Sequence, residues 1–298
     1  MIRLGIVDFD TSHAGEFTRR LNHIDIAEDQ WVEGARVVAG VPGESKIAPE
    51  LIPKSAEQME KYGVKLYDDP ADLLGKVDAV MIESVDGSVH LARAMPFLKK
   101  GMPTYVDKPF ACALADAREM FKVAMESHVP LMSSSSLRYA PEVVAARGGQ
   151  GADGAVIGVS TYGPAPTHPR NPGLFHYGIH PVEMLFTLMG PGCTRLTCLS
   201  QPGAEIVTGI WGDGRIGSVR GIRAGKSEYG FTLFGEKDVT TQGVSTQFIY
   251  RELLKRIVSL FETRQLPIDP RETLEIVAFI EAAKKSGDAG GTPMTITV

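Results

Sequence analysis

The sequence predicts an α/β chain in two parts. The first is an N-terminal Rossmann-type, doubly wound parallel sheet. The second is a C-terminal α+β domain with an open, mainly antiparallel sheet. Three observations carry this. Short, continuously apolar runs alternate with helical patterns through the first 133 residues, as for strands buried on both faces. Later strand candidates follow one another closely, with the hairpin signal Asp213-Gly214 between two of them. The length of 298 residues suits two domains of about 150 each. The expected division is 1–133 for dinucleotide binding and 134–298 for substrate binding and oligomerisation.

In chain order, an apolar strand over 2–7 ends in Asp8, and Phe17, Leu21 and Ile24 are spaced for one helix face. A strand is expected over 35–41, a helix over 56–62, a buried strand over 79–82 and a helix over 89–98 stopped near Gly101. A strand over 104–106, a helix over 113–126 and a strand opening at 130–132 complete the parallel half. The glycine-rich stretch at 148–151 reads as a loop. Beyond it come a strand over 155–162, a Pro-rich loop over 164–172 and a helix over 181–189. Strands follow over 195–199, 205–211, 215–222 and 229–234. Two amphipathic helices, 246–263 and 271–286, close the pattern.

With 43% hydrophobic and 22% charged residues the chain reads as globular rather than disordered. A formal charge of −5 gives no basic field for nucleic acid or a membrane surface. Cys112, Cys193 and Cys198 are odd in number and make no C-x-x-C pair, so neither a disulfide framework nor a structural zinc site is expected. No signal peptide pattern and no apolar run of about 20 residues is present. A cytoplasmic protein is expected.

The first strand-to-helix turn reads Gly5-Ile6-Val7-Asp8-Phe9-Asp10-Thr11-Ser12-His13. Set on G-x-G-x-x-G, it has Asp8, Asp10 and His13 at the three glycine places. Two carboxylates then stand where a pyrophosphate would lie, and by residue chemistry alone this weakens dinucleotide binding. The same residues serve equally as turn and N-cap groups. The D-x-D-x-T/V signature of haloacid dehalogenase-like phosphatases is approached by Asp8-Phe9-Asp10-Thr11, but Ser12 fills the Thr/Val place and the later pair Asp68-Asp69 is a poor match.

Four later segments carry a stronger likeness. Residues 81–90, ending in His90, resemble a strand and the T-P-N-x-x-H turn of the Gfo/Idh/MocA oxidoreductases, named for glucose–fructose oxidoreductase and inositol dehydrogenase. Asp107-Lys108-Pro109 resembles their E-K-P motif, with Asp107 in the Glu place. Leu137-Arg138-Tyr139-Ala140-Pro141 resembles the segment opening their second domain. Gly178-Ile179-His180-Pro181 resembles their D-x-G-x-H helix start, with His176 where Asp is usual.

The resemblance implies NAD(P)-dependent hydride transfer on a sugar, cyclitol or derivative, with NAD or NADP as cofactor. It also implies a homodimer or homotetramer paired through the open sheet. Such a reaction needs a proton acceptor and a positive charge near the developing alkoxide. Lys108 suits the charge, His180 the proton, and His176 is a third catalytic candidate. Asp8, Asp10, Thr11, Ser12, His13, Ser84, His90, Asp107 and Pro109 are expected at the cofactor, and Arg138, Tyr162 and Tyr177 at the substrate. The run Ser133 to Ser136 suits either sugar hydroxyls or a plain loop, and His168, Arg170 and Asn171 are further polar candidates. His176, His180 and Glu183 have metal-ligand spacing on a continuous helix, but Gly178 and Pro181 start the helix near His180, so no metal is expected. A relative that has lost the dinucleotide and binds a sugar-like ligand is the alternative.

Overall fold

In the computed structural model, which describes residues 1–148 and 154–298, the chain forms two compact units. From residue 149 on, the glycine-rich segment expected as a loop lies outside the described residues. The first unit comprises Met1–Ala111, Ala115–Ser134 and Tyr250–Asp269; the second comprises Cys112–Leu114, Ser135–Ile249 and Pro270–Val298. The helix expected over 246–263 therefore packs with the first unit, although its sequence lies deep in the second half. Its buried face (Leu253, Leu254, Ile257, Leu260) is apolar, and Gly34 of the first unit sits tightly against Val258 and Glu262.

The first unit holds six strands: β1 (Ile2–Val7), β2 (Ala35–Val41), β3 (Lys65–Leu66), β4 (Ala79–Ile82), β5 (Thr104–Val106) and β6 (Leu131–Met132). Their order is β3-β2-β1-β4-β5-β6, and every pairing is parallel. The order reverses direction between β1 and β4, which is where a doubly wound sheet binds its ligand, outside the carboxyl ends. Helices α1 (His13–Asn22), α2 (Ile52–Lys61), α3 (His90–Leu98) and α4 (Leu114–Glu126) alternate with the strands. β1 and β4 are buried on both faces, Leu4, Ile6, Val7, Val80, Met81 and Ile82 being essentially inaccessible. Such strands carry no alternation in sequence. The two-residue β3, an edge strand, has too few residues to leave a periodic signal.

The second unit begins with α5 (Pro141–Gly148) and is built on β7 (Val156–Pro164), β8 (Cys193–Gln201), β9 (Ala204–Trp211), β10 (Ile216–Ile222), β11 (Gly230–Gly235), β12 (Val239–Gly243) and β13 (Met294–Thr295), ordered β12-β11-β7-β10-β9-β8-β13. Only β7 and β10 run parallel; the other pairings are antiparallel. α6 (Ile179–Met189) is buried along its whole length, and α8 (Pro270–Asp288) buries a broad stripe. Thr161 Oγ1 donates to the Pro181 carbonyl at 2.8 Å and ties β7 to the start of α6. The register Leu199–Ile206, Ile210–Ile216 and Phe234–Val239 sets aliphatic and aromatic side chains, exposed except for half-buried Ile210, in rows on one sheet face.

Candidate active site

The turn after β1 is where the sequence departs furthest from a nucleotide fingerprint, yet its backbone does what a glycine would. Asp8 has φ +67°, and Asp is among the few L-residues that tolerate this left-handed region. The Asp8 and Phe9 N–H groups, each at 2.9 Å, donate to the Val41 and Pro42 carbonyls and extend the β1–β2 pairing. The Asp8 carboxylate points inward: Oδ2 accepts from the Ser84 hydroxyl and from Arg93 Nε at 2.9 Å. A Cβ on Gly43, itself at φ +70°, would lie 1.7 Å from Asp8 Oδ1, so this packing requires glycine at 43. Burial raises the Asp8 pKa, against the opposing pull of Ser84 and Arg93.

Asp10 is turned inward too. Its Oδ1 accepts from the Val85 N–H at 3.1 Å, and burial pushes its pKa up while Ser45 and Val85 oppose. Thr11 Oγ1 accepts the His13 N–H at 3.3 Å, whereas Ser12, the N-cap residue, makes no capping bond and is the exposed member of the turn. The expected repulsive pair of carboxylates facing a pyrophosphate is thus not what forms. Both carboxylates are buried against the loops after β2 and β4, and Arg93 offsets the charge of Asp8.

His13, in the third glycine place, closes a buried charge cluster. Its Nδ1 lies 2.9 Å from Asp107 Oδ2 and 3.6 Å from Glu83 Oε2. Lys108 Nζ lies 3.1 Å from the same Asp107 oxygen, and Tyr105 donates its hydroxyl to Asp107 Oδ1 at 3.3 Å. The imidazole stacks on Phe17 at 4.9 Å and meets the edge of Tyr250 from α7 (Ile249–Thr263) at 5.0 Å. Burial disfavours the imidazolium, but Asp107 and Glu83 outweigh it and raise the His13 pKa to about 10. Burial also opposes ionisation of Asp107, yet His13 and Lys108 hold it well below the usual carboxylate range. Glu83 has neither oxygen in a hydrogen bond, and burial pushes it up to about 7.

The ligand atoms of His13, Glu83 and Asp107 lie within 4.8 Å of one another, a spacing open to a metal. Here His13 Nδ1 and Lys108 Nζ already contact Asp107 Oδ2, so a metal would compete with both of them for that carboxylate. The phosphatase reading finds no support either. Asp8 Oδ2 is bound by Arg93, and Asp69 caps a 3-10 turn through the Ala71 N–H at 2.8 Å.

His90, expected at the cofactor, is fully buried; its Nε2 lies 2.8 Å from the Ser84 carbonyl and its Nδ1 3.2 Å from the Phe110 carbonyl. It staples the loop after β4 to the loop after β5. Pro109 follows Lys108 through a cis bond and is buried. Ser133 and Ser134 are buried, Ser134 accepting from the Tyr105 hydroxyl at 3.1 Å, so the serine run is neither a plain exposed loop nor open to a ligand along its length.

In the second unit His180 stands in the first turn of α6, its Nδ1 2.7 Å from Ser135 Oγ. Glu183, one turn on, accepts from the Ser135 N–H at 3.2 Å and from Arg138 Nε at 2.8 Å; Arg138 also reaches Glu272 Oε1 at 2.6 Å. Arg138 is 2% exposed and paired with two carboxylates, so it is structural rather than the substrate contact expected of it. Burial raises the Glu183 pKa, with Arg138 opposing. His176 lies outside α6, 3.4 Å from Asn171 Nδ2, and its ring sits 5.6 Å from His168. It shares no helix face with His180 and Glu183, so the three do not form the metal-ligand row. Tyr177 is exposed and meets the edges of His176 and His180, while half-buried Tyr162 rests its hydroxyl against Gly230.

Sequence reasoning missed Glu83, Arg93, Tyr250 and the specific role of Ser135. Glu83 had one signal, a carboxylate closing an otherwise apolar strand. Arg93 follows His90 by one helical turn, which sets both on the same end of α3.

Comparison with known proteins gives the context for this geometry. Residues 45–135 match the oxidoreductase family with an NAD-binding Rossmann fold that is named Gfo/Idh/MocA. The match spans less than a third of the chain and lies almost entirely within the first unit. It is 29% identical over 116 residues to the inferred oxidoreductase YceM of Salmonella typhimurium, a match covering 39% of this chain and 37% of that protein's own length. Its fold is that of myo-inositol 2-dehydrogenase from Lactobacillus plantarum (TM-score 0.82, 15% identity, 99% of each chain). It is also that of scyllo-inositol dehydrogenase from Lactobacillus casei, solved with NAD(H) and scyllo-inositol (TM-score 0.81, 14% identity, 99% of each chain). Among the described residues no helix is long and apolar enough to cross a membrane.

Proposed function

We propose that this protein is a member of the Gfo/Idh/MocA family and an NAD(P)-dependent dehydrogenase acting on a secondary alcohol of a sugar, cyclitol or derivative. The observation that carries the reading is Lys108. At the carboxyl end of β5, its ammonium is set by Asp107 within an NAD-binding-type sheet.

The residues present fit a dinucleotide. Asp8 keeps the backbone of a glycine, its carboxylate is packed away, and Ser12 stands exposed at the N-terminus of α1. Ser12, Thr11 and Arg93 would hold the cofactor, with the positive end of the α1 dipole favouring its phosphates. A bound dinucleotide supplies the hydride acceptor. Lys108 supplies a positive charge for the oxygen that develops as the alcohol is oxidised. His180 takes the hydroxyl proton, and Tyr177 and Tyr162 serve substrate binding. His176, the third catalytic candidate, contacts Asn171 at 3.4 Å. Relatives in the fold that carry inositol or sugar in their names support the substrate class. The open sheet face with Leu199, Ile206, Ile216, Phe234 and Val239 suits pairing into a homodimer or homotetramer.

Thermal unfolding with NAD, NADH, NADP and NADPH tests the reading. A ligand at 100 times its dissociation constant adds about 2.7 kcal/mol, a shift of several degrees. A shift with one nicotinamide pair, and turnover on a polyol panel that Lys108→Ala abolishes, is the expected outcome. No shift at millimolar cofactor refutes it and leaves the redox-inactive sugar-binding alternative.

A further inference from the structure

We propose that Ser135 is the positioning residue of His180, taking the place that an acidic residue at 176 would fill. The inference rests on the dehydrogenase reading for its chemistry, but its primary test does not.

Position 176 carries a histidine in this chain, and its side chain is engaged by Asn171 at 3.4 Å. The group on His180 Nδ1 is Ser135 Oγ, at 2.7 Å. Ser135 is fully buried and held at several points. Its N–H donates to Glu183 Oε1 at 3.2 Å, and its Oγ accepts the Leu137 N–H at 3.2 Å at the head of the 3-10 turn Ser136–Tyr139. Glu183 is itself fixed by Arg138, and Arg138 by Glu272. His180 and Glu183 are three residues apart on α6, so one helix face grips the serine through both its side chain and its backbone. A buried residue restrained this way holds a narrow geometry, which is what a positioning group requires.

The chemistry follows from the donor and acceptor inventory of a hydroxyl. Oγ takes the Leu137 N–H on one lone pair; its 2.7 Å contact with His180 fits either direction, and a base acting at Nε2 requires that Nδ1–H be the donor to the second lone pair. That fixes the ring with the proton on Nδ1 and makes Nε2 the nitrogen that exchanges a proton with substrate. In the oxidising direction Nε2 would take the hydroxyl proton, a bound dinucleotide would supply the acceptor for the hydride lost from the same carbon, and the imidazolium would keep its Nδ1–H bond to Ser135. Reduction runs the same transfers backward. A carboxylate would accept the same bond with a full negative charge; Ser135 orients the ring without adding one.

The test is long-range proton–nitrogen NMR of the full-length, 15N-labelled protein, with the His180 ring assigned from a His180→Gln spectrum. Wild type is expected to show a single Nδ1–H tautomer. Ser135→Ala should lose it, giving the mixture dominated by Nε2–H that is typical of an unrestrained imidazole, and Ser135→Thr should restore it. With a turnover assay in hand, Ser135→Ala should lower kcat at least tenfold with the cofactor KM unchanged. Wild-type His180 as an Nε2–H tautomer or a mixture overturns the proposal even if no variant folds. So does a Ser135→Ala spectrum identical to wild type. Failure of the dehydrogenase reading would instead appear as absent cofactor binding with the tautomer pattern intact.

Discussion

Glu83→Gln offers a direct test of the buried cluster, because the wild-type carboxyl is inaccessible and neither of its oxygens is hydrogen-bonded. Its nearest cation is His13 Nδ1 at 3.6 Å. Burial raises it from 4.5 to about 7. A carboxyl whose pKa rises on folding binds its proton more tightly in the native state. Its contribution is fully present below pH 4.5 and is lost as pH rises through 7. That gap corresponds to about 3 kcal/mol of stability lost on the alkaline side. Glutamine keeps the shape and cannot ionise. The variant should therefore match wild type near pH 4.5 and exceed it by about 3 kcal/mol near pH 8. Urea unfolding checks this, followed through Trp31 of the first unit in a Trp211→Phe background. An equal difference at both pH values, or a variant less stable at the higher pH, would show that Glu83 is ionised and usefully paired with His13.

His13→Ala removes one partner of a buried pair and leaves Asp107 with Lys108 and Tyr105; a loss of about 3 to 5 kcal/mol is expected near neutral pH. Since the His13 pKa rises from 6.5 to about 10, its contribution is complete below pH 6.5 and fades as pH rises through 10. The deficit of the variant should shrink over that window, and a pH-independent deficit in chemical denaturation would contradict the pairing. Gly43→Ala should destabilise by more than about 2 kcal/mol, from the φ of +70° and the 1.7 Å approach to Asp8, whereas Asp8→Gly should keep the turn. Equal melting temperatures for Gly43→Ala and wild type would refute that packing. Arg138→Met leaves Glu183 and Glu272 buried without their cation and should lower stability by about 3 to 5 kcal/mol in equilibrium unfolding. An effect under about 1 kcal/mol would mean that the carboxylates are protonated and not held by Arg138.

Much of this protein was legible in the residue order, for local reasons. Apolar runs such as 79–82 and 104–106 can be little other than buried strands, and their alternation with helical patterns dictates a parallel, doubly wound sheet. Asp107-Lys108-Pro109 and the run Gly178-Ile179-His180-Pro181 stood out because each resembles a family motif that is contiguous in sequence. Tertiary structure decided what each polar group does. Asp8 and Asp10 are adjacent acids in the sequence, but folding brings Arg93, Ser84 and the Val85 N–H from 75 to 85 residues away to receive them. Arg138 looks like a ligand-binding cation until α6 and α8 set Glu183 and Glu272 on it. Helix α7 joins the first unit because its apolar face matches a surface more than 200 residues earlier in the chain. Periodicity fixes secondary structure, since it depends on neighbours a few residues apart. The charge and hydrogen-bond state of a side chain depends on groups that only the fold brings within 3 to 4 Å, and no pattern along the chain encodes which groups those are.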